Sequence, residues 1–341
     1  MTTWFADPEI LMAHGAGGKA SRKLLEGLIA PVLAEHGSPA ALGDSFNIAG
    51  TDFWVTTDSF VVSPNVFPGG CLGELAVNGT LNDLAVAGAE PLVLTSAIII
   101  EAGTSSQELK VQLEGMAKAS QAAEVPIVAG DTKVVEHGKG DRVYITTTGV
   151  GRSHPKANLD PGRVQPGDAV ICSGTLGDHG ITILMARGEL DFTSASLASD
   201  TANLWPLIKV LLDEFGGAIK WMRDPTRGGL ASTLNELAED AKVEILVEEG
   251  RVPIANPVRG ACEILGLDPF HIANEGKLVA IISADYVDQV LATMKAHPLG
   301  RNAAHIGTVR ESTTPMVVCA TEFGAHRTLD MLTGDPLPRI C

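Results

Sequence analysis

Cys341 is the last residue of the chain and closes the segment Asp335-Pro336-Leu337-Pro338-Arg339-Ile340-Cys341. A thiol with no chain beyond it can enter a pocket end-on, be modified and leave again. The two prolines fix φ and favour an extended run, which predicts a tail held off the domain surface. Ten residues from Leu332 onward reach at most roughly 33 Å, enough to present the thiol first to one pocket and then to another protein. Prenylation does not fit, because the cysteine is last instead of fourth from last. Oxygen chemistry is concentrated in the first half of the chain. Asp58 stands in Thr56-Thr57-Asp58-Ser59, within a predicted strand, and Asn82-Asp83 lies inside a small-residue, apolar helical pattern. Ala129-Gly130-Asp131-Thr132-Lys133 closes a predicted buried strand with an acid and a base. Any one of these acids alone reads as a capped turn or a solvated edge. Together, Asp58, Asp83 and Asp131 suit a hard cation bound through oxygen, Mg²⁺ on the phosphates of a nucleotide, with lysines neutralising the rest.

Glycine-rich corners supply a second set of candidates. His14-Gly15-Ala16-Gly17-Gly18-Lys19 precedes the first predicted helix. It is no P-loop, and beyond the Gly-x-Gly-x-x-Ala match a dinucleotide fold needs a strand before it and an acidic residue closing a second strand, whereas 37–43 is turn-like. The N–H groups of Gly15, Gly17 and Gly18, with Lys19, suit phosphate at a helix start; the same residues also make an ordinary loop. Arg223-Asp224-Pro225-Thr226-Arg227-Gly228-Gly229 suits an anion or carbonyl at a helix N-terminus, or is an Asp/Thr cap with a packing glycine. Glu275, in Asn274-Glu275-Gly276-Lys277, is either a positioned base or a turn acid.

The elements that must position these residues alternate along the chain. Helices are predicted at 19–36 (kinked by Pro31), 71–87, 105–122, 178–186, 202–215, 229–239, 258–265 and 286–296. Strands are predicted at 53–62, 92–100, 125–128, 142–150, 169–173, 242–247, 277–282, 304–309 and 316–319. Turn chemistry between 151 and 167 marks a boundary. A chain of 341 residues is long for one core, so two domains are expected. The net charge of −16 argues against nucleic acid or an anionic membrane as the main partner. The N-terminus does not read as a signal peptide, and the most apolar run, 92–100, is too short to span a bilayer. The five cysteines are scattered, with no Cys-x-x-Cys pair, so neither a disulfide framework nor a zinc site is indicated. A cytoplasmic protein is expected, with four buried structural cysteines and one that is not buried.

Seven segments together resemble the hydrogenase maturation factors of the HypE family, within the AIR-synthetase-like (PurM-like) ATP-binding superfamily. They are HGAGG at 14–18, TTDSFVVSP at 56–64, VNGTLNDLAVAGA at 77–89, VAGDTKVV at 128–135, RDPTRGGL at 223–230, NEGKL at 274–278 and PRIC at 338–341. The similarity covers essentially the whole chain. The glycine motifs are shared across the superfamily, and the PRIC ending selects this family. Selenophosphate synthetases carry a catalytic Cys or selenocysteine near the N-terminal loop, whereas no cysteine precedes Cys71 here.

The resemblance implies an α+β, mixed α/β fold in two domains, with N-terminal strands forming a dimeric barrel and a C-terminal α/β domain. The expected divisions are a flap and helix over 1–40, an ATP-binding, dimerising domain over 41–155, an α/β domain over 156–331 and a flexible tail over 332–341. It implies ATP-dependent dehydration of an S-carbamoyl group on Cys341 to a thiocyanate, the source of the cyanide ligands of nickel–iron hydrogenase. Asp58, Asp83 and Asp131 would position metal and phosphates, with Asn82 and Thr132 alongside. Lys133 and Glu275 would transfer protons and orient the thiocarboxamide, with Cys341 the covalent carrier. Implied partners are a second copy of the chain, a HypF-type carbamoyltransferase and an iron-carrying HypC/HypD-type scaffold pair. Two other readings stand beside this one: another kinase or synthetase of the superfamily with Cys341 incidental, and a nucleotide-gated scaffold without catalysis.

Overall fold

The computed structural model describes residues 5–36, 43–188, 197–334, 337 and 339–341. Most of the predicted turn at 37–43, and Asp335, Pro336 and Pro338 of the tail, therefore lie outside the described residues.

After a 3-10 turn, Met12–Gly15, the predicted first helix forms as α1 (Lys19–Leu24), a π-helical stretch (Leu25–Ile29) and α2 (Ala30–Glu35). Pro31 has no N–H to offer the carbonyl of Gly27 four residues earlier, and the N–H of Phe5 donates to that carbonyl at 3.1 Å. The expected kink is thus absorbed as a π stretch that ties down the chain's start.

The first sheet and its helices follow as β1 (Phe46–Asn47), β2 (Phe53–Phe60), a ribbon of β3 (Val66–Phe67) and β4 (Gly70–Cys71), α3 (Leu72–Val86), β5 (Ala89–Glu101), α4 (Ser106–Ala123), β6 (Ile127–Val135) and β7 (Val143–Ser153). The five-stranded order is β1-β2-β7-β5-β6. Only β5 and β6 run parallel, which their α4 crossover requires. Ser105 caps α4 by accepting from the N–H of Glu108 at 3.0 Å. α3 is apolar nearly all round and is correspondingly buried, with Leu72, Leu75, Leu81 and Leu84 fully inside. It packs across β2, β7 and β5 and carries Asp83 toward the second half of the molecule.

The second half contains β8 (Ala169–Cys172), α5 (Asp178–Ala186), α6 (Trp205–Phe215), β9 (Ile219–Arg223), α7 (Gly229–Ala241), β10 (Glu244–Glu248), α8 (Asn256–Leu265), β11 (Val279–Ile282), α9 (Val287–Ala296), β12 (Ala304–Arg310), β13 (Met316–Ala320) and β14 (His326–Thr328). Its seven strands run β14-β13-β10-β12-β8-β11-β9. β9 and β14 were not expected. β9 buries a lysine that disguises it: Lys220 Nζ meets Asp168 Oδ1 at 2.6 Å, so the charge is paired inside.

The strand expected at 125–128 runs through Asp131 to Val135, and instead of being buried it is an exposed sheet edge in the single chain. The tail is not held off the surface. Leu337, Ile340 and Cys341 are buried in a core shared by Phe60, Leu72 and Leu75 of the first half and Ile181, Ile183 and Ile272 of the second. Val61 N–H donates to Cys341 O at 3.1 Å and Ser63 N–H to Arg339 O at 3.2 Å, so the tail pairs with the chain leaving β2. Apolar Leu337 and Ile340 gain more from burial than an extended backbone loses by docking. All five cysteines are consequently buried, Cys341 included, and none forms a disulfide.

Candidate functional site

β2, α3, the segment before β1 and the turn after β9 converge on one acidic cavity. One carboxylate oxygen from each of Asp44, Asp83 and Asp224 lies within 4.8 Å of the others. Asp58, on β2, is close enough for its charge to act on Asp83 and Asp224. Thr56, two residues before Asp58 and on the same face of β2, donates from Oγ1 to Asp83 Oδ2 at 3.0 Å. Burial, and then the negative charge of Asp44, push the Asp224 carboxyl up to about 7. Asp83 is raised well above the usual carboxylate range by burial and by Asp224, Asp44 and Asp58. Asp58 is raised by burial, offset in part by the Arg227 guanidinium and the Ser59 N–H. Carboxylates this close to one another are relieved by protons or cations, and Arg223 already pairs with exposed Asp44. The cluster therefore fits Mg²⁺, with Asp44, Asp83 and Asp224 as the residues that would hold it.

Arg223 frames the acids, its Nε 2.5 Å from Asp44 Oδ2 and its NH2 3.3 Å from Glu236. The cavity, about 340 Å³, is closed on one side by His14, Gly15 and Gly17 and on another by Leu24, Leu25 and Ile29. It offers an acidic floor, a backbone-rich flap and an apolar wall. That is chemistry for a metal-held polyphosphate attached to a flat, apolar group.

The sequence candidates divide between this cavity and other roles. Asp58, Asp83, Gly15 and Gly17 are at or beside the cavity. Gly18 instead backs onto the root of the tail, where a Cβ would stand 2.2 Å from Leu332 O. Lys19 is spent nearby: its N–H donates to Leu332 O at 2.9 Å and its Nζ pairs with Asp330 at 2.5 Å. Asn82 is fully buried and occupied by structure. Its Nδ2 donates to Ala202 O (3.0 Å) and Glu275 O (3.2 Å), and its Oδ1 accepts from Leu204 N–H (2.8 Å). Asn82 ties α3 to the second half and fixes the backbone of Glu275.

Asp131 does not join Asp58 and Asp83 within one chain. Asp58 pairs with Thr147, Thr147 with Ser96 and Ser96 with Gly130, so neighbouring Asp131 faces the opposite side of the sheet. Three strand spacings, roughly 14 Å, separate the two acids. Asp131 binds Lys133 Nζ at 2.5 Å, and both are exposed together with Thr132. Asp44 and Asp224 carry no local signal of this role: Asp44 follows the segment 37–43 with its turn-like composition, and Asp224, before Pro225 and Thr226, has the sequence of a cap.

Glu275 is buried and close enough to Asp224 and Asp58 for their charges to act on it. Its N–H donates to Asp200 Oδ1 at 3.1 Å, while its buried Oε1 has no hydrogen-bond partner among the described residues. Burial, then Asp200, Asp224 and Asp58, hold its carboxyl well above the usual range. Asp200 is itself held down, chiefly by Lys277, whose Nζ is 2.9 Å away. A small cavity of about 20 Å³ lies against Leu337 and Ile340 of the tail and shares Arg227 and Ser232 with the larger one. The docked terminus and the acidic cavity are thus adjacent.

Two family models match this architecture: the N-terminal domain of AIR synthase related proteins over 39–153 and their C-terminal domain over 165–319. The chain is therefore a member of the AIR-synthase-related proteins. It is 45% identical over 337 residues to carbamoyl dehydratase HypE of Rhizobium leguminosarum bv. viciae, covering 98% of this chain and 96% of that one. A crystal structure of a HypE–HypF complex superposes with a TM-score of 0.84 at 44% identity, covering 89% of this chain and 99% of that one. One of the hydrogenase maturation protein HypE in complex with ATP gives 0.81 at 41% identity, covering 98% and 100%. Within that class, the chain belongs to the HypE family.

Proposed function

We infer that this chain is an ATP-dependent carbamoyl dehydratase that converts an S-carbamoyl group on Cys341 to a thiocyanate. The observation that carries this reading is the place of the terminus. Cys341 accepts through its terminal carboxylate from the N–H of Val61, three residues beyond Asp58, close to a cavity whose lining suits metal and phosphate. The chemistry needs that proximity, because an amide oxygen is a very poor leaving group. The carbamoyl oxygen attacks the γ-phosphorus of ATP, ADP departs, and an imidate phosphate forms. Loss of the nitrogen's protons with cleavage of the C–O bond then expels phosphate, which carries that oxygen away, and leaves S–C≡N. Mg²⁺ held by Asp44, Asp83 and Asp224 would neutralise phosphate charge. Arg227 and the flap amides would position the phosphates. Glu275, buried with its Oε1 unpartnered among the described residues, is the group to take one from nitrogen once ionised, and its dry setting keeps water from competing.

Lys133 and Asp131 enter through a homodimer. β6 is an exposed edge, with Val128 59% and Val134 67% exposed, and the sheet face that bears Asp131 and Lys133 is uncovered. A second copy closing this face into a barrel buries the edge and brings Asp131, Thr132 and Lys133 to the interface. Carbamoyl transfer to Cys341 requires a HypF-type transferase, and delivery of the cyanide a HypC/HypD-type iron carrier. Among the described residues no helix is long and apolar enough to cross a membrane, and a cytoplasmic setting suits these partners.

Mass spectrometry of the C-terminal peptide tests the reading. With transferase, carbamoyl phosphate and ATP, Cys341 gains a carbamoyl group and then loses one water as this protein turns over ATP. An unmodified peptide favours an incidental cysteine or a non-catalytic scaffold. Mixing two inactive variants, Lys133→Ala and Asp83→Asn, restores part of the activity if sites are shared between subunits. No recovery confines each site to one chain.

A further inference from the structure

Helix α5 holds one side of the tail, whose other side pairs with the chain leaving β2. His179 in its first turn lies with Nε2 2.7 Å from Ile340 O, and Arg187 at its C-terminal end donates from NH2 to Arg339 O at 2.6 Å. Between them Leu337 rests on Gly180, where a Cβ would stand 3.3 Å from Leu337 Cδ1. Both polar contacts are made to main-chain carbonyls, so neither depends on what the terminal sulfur carries.

His179 is completely buried, with Phe67 edge-on to its ring at a centroid distance of 5.6 Å. A carbonyl oxygen can only accept, so Nε2 carries the hydrogen that Ile340 O receives. Burial holds the imidazole below its usual pKa, so the ring is neutral and Nδ1 accepts from the Ser199 hydroxyl, 2.8 Å away. Ser199 Oγ in turn accepts from the Thr201 N–H at 3.2 Å. The chain Thr201–Ser199–His179–Ile340 locks one tautomer and one ring orientation. The carbonyl at its end belongs to the peptide plane that bears Cys341.

We propose that His179 is a positioning residue for the carrier thiol, docking the terminus by its main chain for reaction and giving way when the tail is handed to a partner. What the tail carries rests on the dehydratase reading; the docking does not. Loosening this bond speeds encounter with outside reagents and slows chemistry inside.

The test uses full-length protein with His179→Ala and His179→Gln, the second keeping a donor near the position of Nε2. The rate at which a thiol reagent labels Cys341 is followed in the C-terminal peptide. Reagent selectivity is favoured because burial raises the other four thiols, Cys71 above its ordinary value and Cys172, Cys262 and Cys319 to about 11. Loss of one net hydrogen bond predicts labelling faster by roughly 3- to 10-fold in the Ala variant, with Gln within about twofold of the parent. Mg–ATP affinity, read by calorimetry, is the same in all three. In single turnover of carbamoylated protein, water loss slows in the Ala variant and recovers in the Gln variant. Labelling unchanged in the Ala variant, or not restored by Gln, overturns the proposal. If the Ala variant does not fold, Ser199→Ala unlocks the ring from Nδ1, and an unchanged labelling rate there overturns it equally. A parent protein that takes up no carbamoyl group counts against the dehydratase reading alone, since labelling needs neither carbamoyl nor transferase.

Discussion

Asp83→Asn should make the metal-free protein more stable while disabling it. The substitution removes one charge from a group whose oxygens lie within 4.8 Å of one another. At that separation, with an effective dielectric constant of about 20, two carboxylates repel by about 3 kcal/mol. Asn keeps an acceptor for the Thr56 hydroxyl, so little else changes. Proton uptake relieves part of the repulsion, leaving an expected gain of about 1–3 kcal/mol at pH 8 in a chelator, or roughly 2–4 °C in Tm for each kcal/mol. The gain has a definite pH sign. Asp224 titrates at about 7 when folded, from an ordinary value of 3.8, and Asp83 is raised in the same direction. The folded parent therefore holds extra protons between these limits, and the site's contribution to stability falls as pH rises from about 4 to about 7. The advantage of the variant should accordingly be small at pH 5 and larger at pH 8. Millimolar MgCl₂ should raise the Tm of the parent and leave the variant nearly unmoved, while ATP turnover falls by roughly 100-fold or more. Thermal unfolding by circular dichroism at both pH values, with and without magnesium, measures all of this. A variant less stable than its parent in chelator at pH 8, or as responsive to magnesium, refutes the electrostatic account of the cavity.

Three further outcomes are expected. Asn82→Ala strands buried groups at Ala202, Leu204 and Glu275 and should cost about 3 kcal/mol in chemical denaturation, so an unshifted midpoint contradicts its tying role. Gly18→Ala places a methyl 2.2 Å from Leu332 O and should lift the flap, costing about 1–3 kcal/mol and speeding tryptic cleavage after Lys19 or Arg22; protection equal to the parent argues against that contact. Cys341→Ala should still bind ATP and unfold within about 1 kcal/mol of the parent while delivering no cyanide, and persisting delivery would place the carrier elsewhere.

Much of the architecture is legible in local pattern. The helix at 178–186 and the strands around 53–60, 169–172, 304–310 and 316–320 follow from periodicity and glycine punctuation, which act over a few residues. β9 was hidden because buried Lys220 broke its apolar run, and the partner that makes this tolerable, Asp168, is 52 residues away.

The chemistry divides in the same way. The chain alone determined the inventory: a terminal thiol, acids set among small residues, a glycine flap, and the segments whose resemblance named the family. Which acids meet was decided by tertiary structure, because Asp44, Asp83 and Asp224 come from three separate elements and no local spacing encodes their approach. Alternation across paired strands put Asp131 on the other face of the sheet from Asp58, although both sit in similar strand contexts. The fate of the tail was tertiary as well. Prolines restrict one backbone angle each, but whether Ile340 and Cys341 stay in water depends on the groove between two domains and on His179 and Arg187 waiting there for two carbonyls.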